Sequence, residues 1–63
     1  MARPAAELTT IRTLVEELQA RVLGLAQASQ GSAEEDLARP LFEAERALRS
    51  AARQVARAER LLG

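Results

Sequence analysis

Two unbroken heptad runs of apolar residues, separated by a short polar break, constrain this chain more than any other feature in it. In the first run, Leu8, Ile11, Val15, Leu18, Val22 and Leu25 follow one another at steps of 3, 4, 3, 4 and 3. In the second, Leu37, Leu41, Ala44, Leu48, Ala51, Val55, Ala58 and Leu62 step by 4, 3, 4, 3, 4, 3 and 4. Residues three and four apart share one side of an α-helix, so each run predicts an amphipathic helix with one apolar stripe. The break is Ser29-Gln30-Gly31-Ser32. Gly31 suits the left-handed conformation that closes a helix. Ser32 and Glu35 have the spacing of a capping box, and Glu34, Glu35 and Asp36 put negative charge at the positive end of a helix dipole. A turn this short joins antiparallel neighbours. The expectation is an all-α antiparallel helical hairpin forming one domain over 1–63, with helix one over about 5–29, the turn at 30–32 and helix two over about 33–62. Pro4 suits the first helical position. Pro40 falls inside helix two, where a proline costs about 3 kcal/mol. It predicts a kink in a continuous helix, the alternative being a separate short helical turn over 33–39.

Folding the chain at Gln30–Gly31 is expected to pair Leu25 with Leu37, Val22 with Leu41, Leu18 with Ala44, Val15 with Leu48, Ile11 with Ala51 and Leu8 with Val55. Two helices cannot cover such a seam from water, and Leu14, Leu23, Phe42 and Leu61 widen it further. A chain of 63 residues has little core and needs a staple. Cysteine and histidine are both absent, which removes disulfides and ordinary zinc sites. Oligomerisation remains. The sequence therefore predicts a homodimer, an antiparallel four-helix bundle with an interface of Leu8, Ile11, Val15, Leu18, Val22, Leu25, Leu41, Ala44, Leu48, Ala51, Val55, Ala58 and Leu62. Large residues alternate with alanine along helix two, which makes it the expected line of closest approach. Leu23 and Phe42 are the candidates for docking a different protein. Phe42, the single aromatic residue, is the natural anchor.

Charge is split along helix two. Residues 32–45 carry a net charge of −4 and residues 46–63 a net charge of +4. Acid at the N-terminal end and base at the C-terminal end both suit the helix dipole. Two antiparallel copies of this helix would also set acidic halves against basic ones. Arg46, Arg49, Arg53, Arg57 and Arg60 step by 3, 4, 4 and 3, a spacing that makes a stripe able to contact phosphate. Nucleic acid is the competing partner on that ground. It is the less favoured one, because the chain is neutral overall, no aromatic residue lies in the stripe, and Gln54 is the single amide there to read a base. An anionic membrane surface fits less well, since the basic half has no Trp or Phe on its apolar side.

Catalysis is not expected. The chain has no Lys, His, Cys, Trp, Tyr or Asn, and all nine basic residues are Arg. The side chains that work most readily near neutral pH as base, nucleophile or Schiff-base former are missing. No cofactor is expected. Glu16, Glu17, Glu43 and Glu45 are the carboxylates a bundle could turn toward a metal. Without histidine, and with Glu16, Glu17 and Glu43 at outward heptad positions and Glu45 flanking the seam, solvated faces and ion pairs are the expectation. Glu17–Arg21 and Arg12–Glu16 have the four-residue spacing of such pairs on the exposed side. Arg without Lys beside 14 alanines suggests a GC-rich bacterial genome. No apolar run follows Met1-Ala2-Arg3-Pro4, and none approaches the roughly 20 residues of a membrane span. A cytoplasmic protein without a signal peptide is the resulting expectation.

The layout of two helices, heptad seams and mixed large and small layers resembles that of the Rop family, small plasmid-encoded RNA-binding proteins that form an up-down helical bundle. The likeness covers residues 5–62 as architecture. It implies dimerisation into four helices and a nucleic-acid-binding regulator as the alternative function. The first-helix RNA contacts of that family, which involve Lys, Asn, Phe and Gln, do not carry over, because helix one here has no Lys, Asn or Phe. Small secretion-system hairpins share the pattern too, but their Trp-x-Gly turn is absent.

Overall fold

The computed structural model describes residues 3–63. Helix α1 spans Pro4–Ser29 and helix α2 spans Ala38–Leu62, with a single 3₁₀ turn at Glu35–Leu37 between them. The helices run antiparallel and pack side by side as an elongated ribbon, 47 × 17 × 12 Å. Pro4 occupies the start of α1, where a missing N–H leaves no intrahelical bond unmade. The Glu7 N–H then donates to the Arg3 carbonyl at 3.0 Å.

The reversal is built on a tight turn over Ser29–Ser32. Gln30 has φ −62° and ψ 129°, Gly31 has φ +69°, and the Ser32 N–H donates to the Ser29 carbonyl at 3.2 Å. These are the marks of a type II turn, whose third residue must tolerate positive φ. The expectation for Gly31 holds. The capping box does not form. Instead, the Ser32 hydroxyl donates to the Ser29 carbonyl at 2.8 Å and accepts from the Glu34 N–H at 3.1 Å. Ser32 caps the turn rather than a long helix.

Helix two begins later than the sequence suggests, at Ala38 rather than 33. Pro40 is the physical reason. In a helix starting at 33 it would be interior; in one starting at Ala38 it lies in the first turn, where a backbone N–H has no intrahelical acceptor and proline's lack of one costs little. The expected kink is therefore replaced by the alternative, a short separate helical turn ahead of α2.

The interior is thin. Among the described residues the buried apolar side chains are Ala26, Ala38 and Ala52, joined by Ser29 and Glu45, and no large side chain is fully buried. Alanine lets the two helix backbones come close but covers little surface.

Candidate functional site

The line of contact between α1 and α2 keeps half of the expected leucine seam: Leu8, Val15 and Val22 of α1 and Leu41, Leu48 and Val55 of α2 lie on it, whereas Ile11, Leu18, Leu25, Leu37, Ala44 and Ala51 do not. On α1 the inward positions are Leu8, Arg12, Val15, Gln19, Val22, Ala26 and Ser29; on α2 they are Ala38, Leu41, Glu45, Leu48, Ala52, Val55 and Glu59. This line also follows steps of 3 and 4, but it is rotated relative to the apolar heptads, and polar residues occupy alternate layers.

Those polar layers are satisfied. Glu45 is 3% exposed. Its carboxylate accepts from Gln19 Nε2 across the hairpin at 3.0 Å, and from Arg49 Nη2 at 2.8 Å on its own helix. Toward the open end, Glu59 accepts from the Thr9 hydroxyl at 2.8 Å and from Arg12 Nε. Arg12 also donates to Glu16 at 3.1 Å, so this pair forms as its spacing suggests, but with Arg12 drawn into the seam rather than left on the exposed side. No buried side-chain polar atom among the described residues lacks a partner. The bonds from Arg49, then Gln19, hold the Glu45 carboxyl below the usual glutamate range, and those from Arg12, then Thr9, do the same for Glu59. Arg12 is raised in turn, chiefly by its bond to Glu59.

Rotating the contact line toward polar residues turns the leucines outward. Ile11, Leu14, Leu18 and Leu25 on α1 are exposed, as are Leu37, Leu61 and Leu62. Of the interface positions expected from sequence, Ile11, Leu18, Leu25, Ala44, Ala51 and Leu62 are open to solvent, whereas Leu8, Val15, Val22, Leu41, Leu48, Val55 and Ala58 are half-buried. At 3.6 residues per turn, Ile11, Leu18 and Leu25 lie roughly 80–120° to one side of the contact line on α1. The stripe of Leu37, Ala44, Ala51, Ala58 and Leu62 lies a similar way round on α2, in the same rotational sense. Antiparallel helices are related by a two-fold axis normal to their common plane, an operation that keeps both rotational sense and side. The two stripes therefore share one broad side of the ribbon and make a continuous apolar face. At its free end Pro4, Glu7, Leu8 and Ile11 line a shallow, open hollow.

The opposite side is cationic. Arg46, Arg49, Arg53, Arg57 and Arg60 are all exposed and rotate the other way from the contact line. Among the described residues Arg46, Arg53, Arg57 and Arg60 form no ion pair, while Arg49 is bound to Glu45. Leu23 and Phe42 sit on this side near the turn, and both are half-buried. No cluster of three potential metal ligands occurs among the described residues; of the four carboxylates considered from sequence, Glu45 and Glu16 are engaged by arginine. Among the described residues no helix is long and apolar enough to cross a membrane.

The polar seam escaped the sequence reading. Arg12, Gln19 and Glu59 carry no weight in a search for apolar periodicity, although their spacing was available. Compared with protein-family models, curated proteins and solved structures, the chain matches none at a significant level. Its functional reading rests on its own geometry.

Proposed function

We propose that this chain is a non-catalytic protein-interaction and oligomerisation module, an adaptor, regulator or assembly factor, that works as a homodimeric four-helix bundle closed through its leucine face. The open leucine face is the observation that carries this. The hairpin exposes 4902 Å². A compact monomer of 6.8 kDa would expose about 4,000 Å², so the surplus is roughly 900 Å². A standard-size interface removes about 800 Å² from each partner. The surplus is thus about the amount one dimer contact hides, and the leucine face supplies apolar side chains of the kind dimer cores use.

Sedimentation equilibrium tests the assembly. The expected result is a dimer at micromolar concentration, reverting to an unfolded or monomeric chain in Leu18→Glu. A stable, folded 6.8 kDa monomer at the same concentration overturns it.

The second reading is a nucleic-acid-binding regulator. It is favoured by one observation: Arg46, Arg53, Arg57 and Arg60 lack ion-pair partners and lie on the side that closure of the leucine face leaves open. Duplex DNA and RNA titrated across a range of salt separate the two. Binding that weakens steeply with salt and disappears in Arg53→Glu plus Arg57→Glu establishes the second reading; salt-insensitive or absent binding leaves the assembly module.

A further inference from the structure

The leucine face can be covered by a second hairpin in two ways. With the two-fold axis along the helices, both turns lie at the same end and each α1 packs on the partner's α2. With the axis across the helices, the turns lie at opposite ends, α1 packs on α1 and α2 on α2. Both arrangements bury the same face, so burial does not choose between them.

Charge does. The hairpin is polarised along its 47 Å length. The turn end carries Glu34, Glu35 and Asp36, all exposed, with Glu43 close behind; the free end carries Arg53, Arg57 and Arg60, with Arg3 on α1. None of these eight charges is engaged in an ion pair among the described residues. Of the acids at the basic end, Glu59 is turned into the seam by Arg12 and Thr9, which leaves Glu7 alone against Arg3, Arg53, Arg57 and Arg60. A same-end dimer crowds six carboxylates together at one end and the guanidinium groups at the other. An opposite-end dimer instead brings one acidic tip and one basic end together at each end of the bundle. Like charges brought together suppress the wrong pairing, and opposite charges fix the register. Packing is compatible. Ala44, Ala51 and Ala58 let the two α2 helices approach closely, while Ile11, Leu14 and Leu18 of the two α1 helices fill the wider side.

We infer that the second copy docks on the leucine face with its turn at the opposite end, so that each end of the bundle carries the acidic tip of one hairpin and the arginine end of the other, with the arginines on the outer side. This rests on the homodimer reading above, and the test keeps the two apart. The chain has no cysteine, so a single Ala33→Cys in the exposed connection accepts one spin label per chain. Double electron–electron resonance is then read on a sample whose mass is measured in parallel. The expected result is an inter-label distance on the order of the 47 Å hairpin length. A dimeric mass with a distance of about 20 Å or less, one or two helix spacings, overturns the opposite-end arrangement and leaves the homodimer standing. A monomeric mass with no dipolar signal overturns both. A second variant gives the sign independently. Neutralising the tip with Glu34→Gln, Glu35→Gln and Asp36→Asn is expected to weaken dimerisation several-fold at low salt, with the difference fading at high salt. A tighter dimer in that variant shows that the tips repel one another at a shared end, and overturns the inference.

Discussion

The hairpin has two long surfaces of similar length and opposite construction. Between its own helices it buries alanines and satisfied polar groups, Ala26, Ala38 and Ala52 with Glu45 and Ser29, and half-buries Leu8, Val15, Val22, Leu41, Leu48 and Val55. On the broad side it places Ile11, Leu14, Leu18, Leu25 and Leu37, all exposed. A large share of the apolar side chains thus lies on the surface that the single chain does not close. The polar seam sets which way each helix faces. Hydrogen bonds add little net stability, but leaving a buried partner unmade is costly. Turning α1 and α2 so that the leucines met within the hairpin would strip Glu45 and Glu59 of Gln19, Arg12 and Thr9. A small number of directional contacts can in this way hold open a face that hydrophobicity alone would fold inward.

The contrast is broken most sharply at the leucine face. Replacing a core Leu or Ile by Ala costs about 2–5 kcal/mol where the site is buried and almost nothing where it is bare. Ile11→Ala plus Leu18→Ala is therefore expected to lower stability strongly in urea unfolding at high protein concentration. Little change at every concentration would mean that the face stays uncovered. Next in size is the seam. Ala26 is 0% exposed, and Ala26→Leu should push the helices apart at a cost of about 1–3 kcal/mol, seen as a lower melting temperature. Its neighbour Leu25 is 60% exposed, so this adjacent pair reports the two surfaces separately. Gly24 is smaller still. A Cβ built there meets nothing within 4 Å, so Gly24→Ala should stabilise by about 1 kcal/mol in the same melt. The same substitution at Gly31, where φ is +69°, should destabilise instead.

The smallest effect is acid sensitivity. Glu45 and Glu59 are both held below the ordinary glutamate range by their hydrogen bonds from Arg49 and Gln19 and from Arg12 and Thr9. A carboxyl depressed in the folded state contributes stability that is present above its unfolded pKa and is lost as pH falls through the folded one. Thermal melts should therefore be level from neutral pH down to the ordinary glutamate range and decline below it. Glu45→Gln should flatten that decline. A decline that sets in above pH 6 would place the sensitivity elsewhere.

Much of the fold was legible from residue spacing, and one part was legible only in a misleading form. The antiparallel hairpin followed from the heptads, and the turn at Gly31 from its chemistry. The apolar heptads correctly marked Ile11, Leu18, Leu25, Ala44 and Ala51 as one surface. They could not say whether that surface would be used within the chain or beyond it, because periodicity identifies what should leave water without naming the partner. The contact that forms within the chain runs through Arg12, Gln19, Glu45 and Glu59. Pairing among such residues depends on reach and direction, which a linear pattern does not encode. The late start of α2 was foreshadowed by Pro40, whose penalty depends entirely on where the helix begins.

Pro40 has one more consequence. A helical hairpin can in principle open into a single straight rod, and two rods can exchange halves to form an intertwined dimer. In that rod Pro40 would become an interior helical residue, at a cost of about 3 kcal/mol in each chain. Gly31 would have to give up its left-handed turn and pay the usual glycine penalty as well. The residue that looks like a flaw in helix two thus acts as a latch: it makes exchange of halves between copies unfavourable and keeps each molecule a self-contained hairpin.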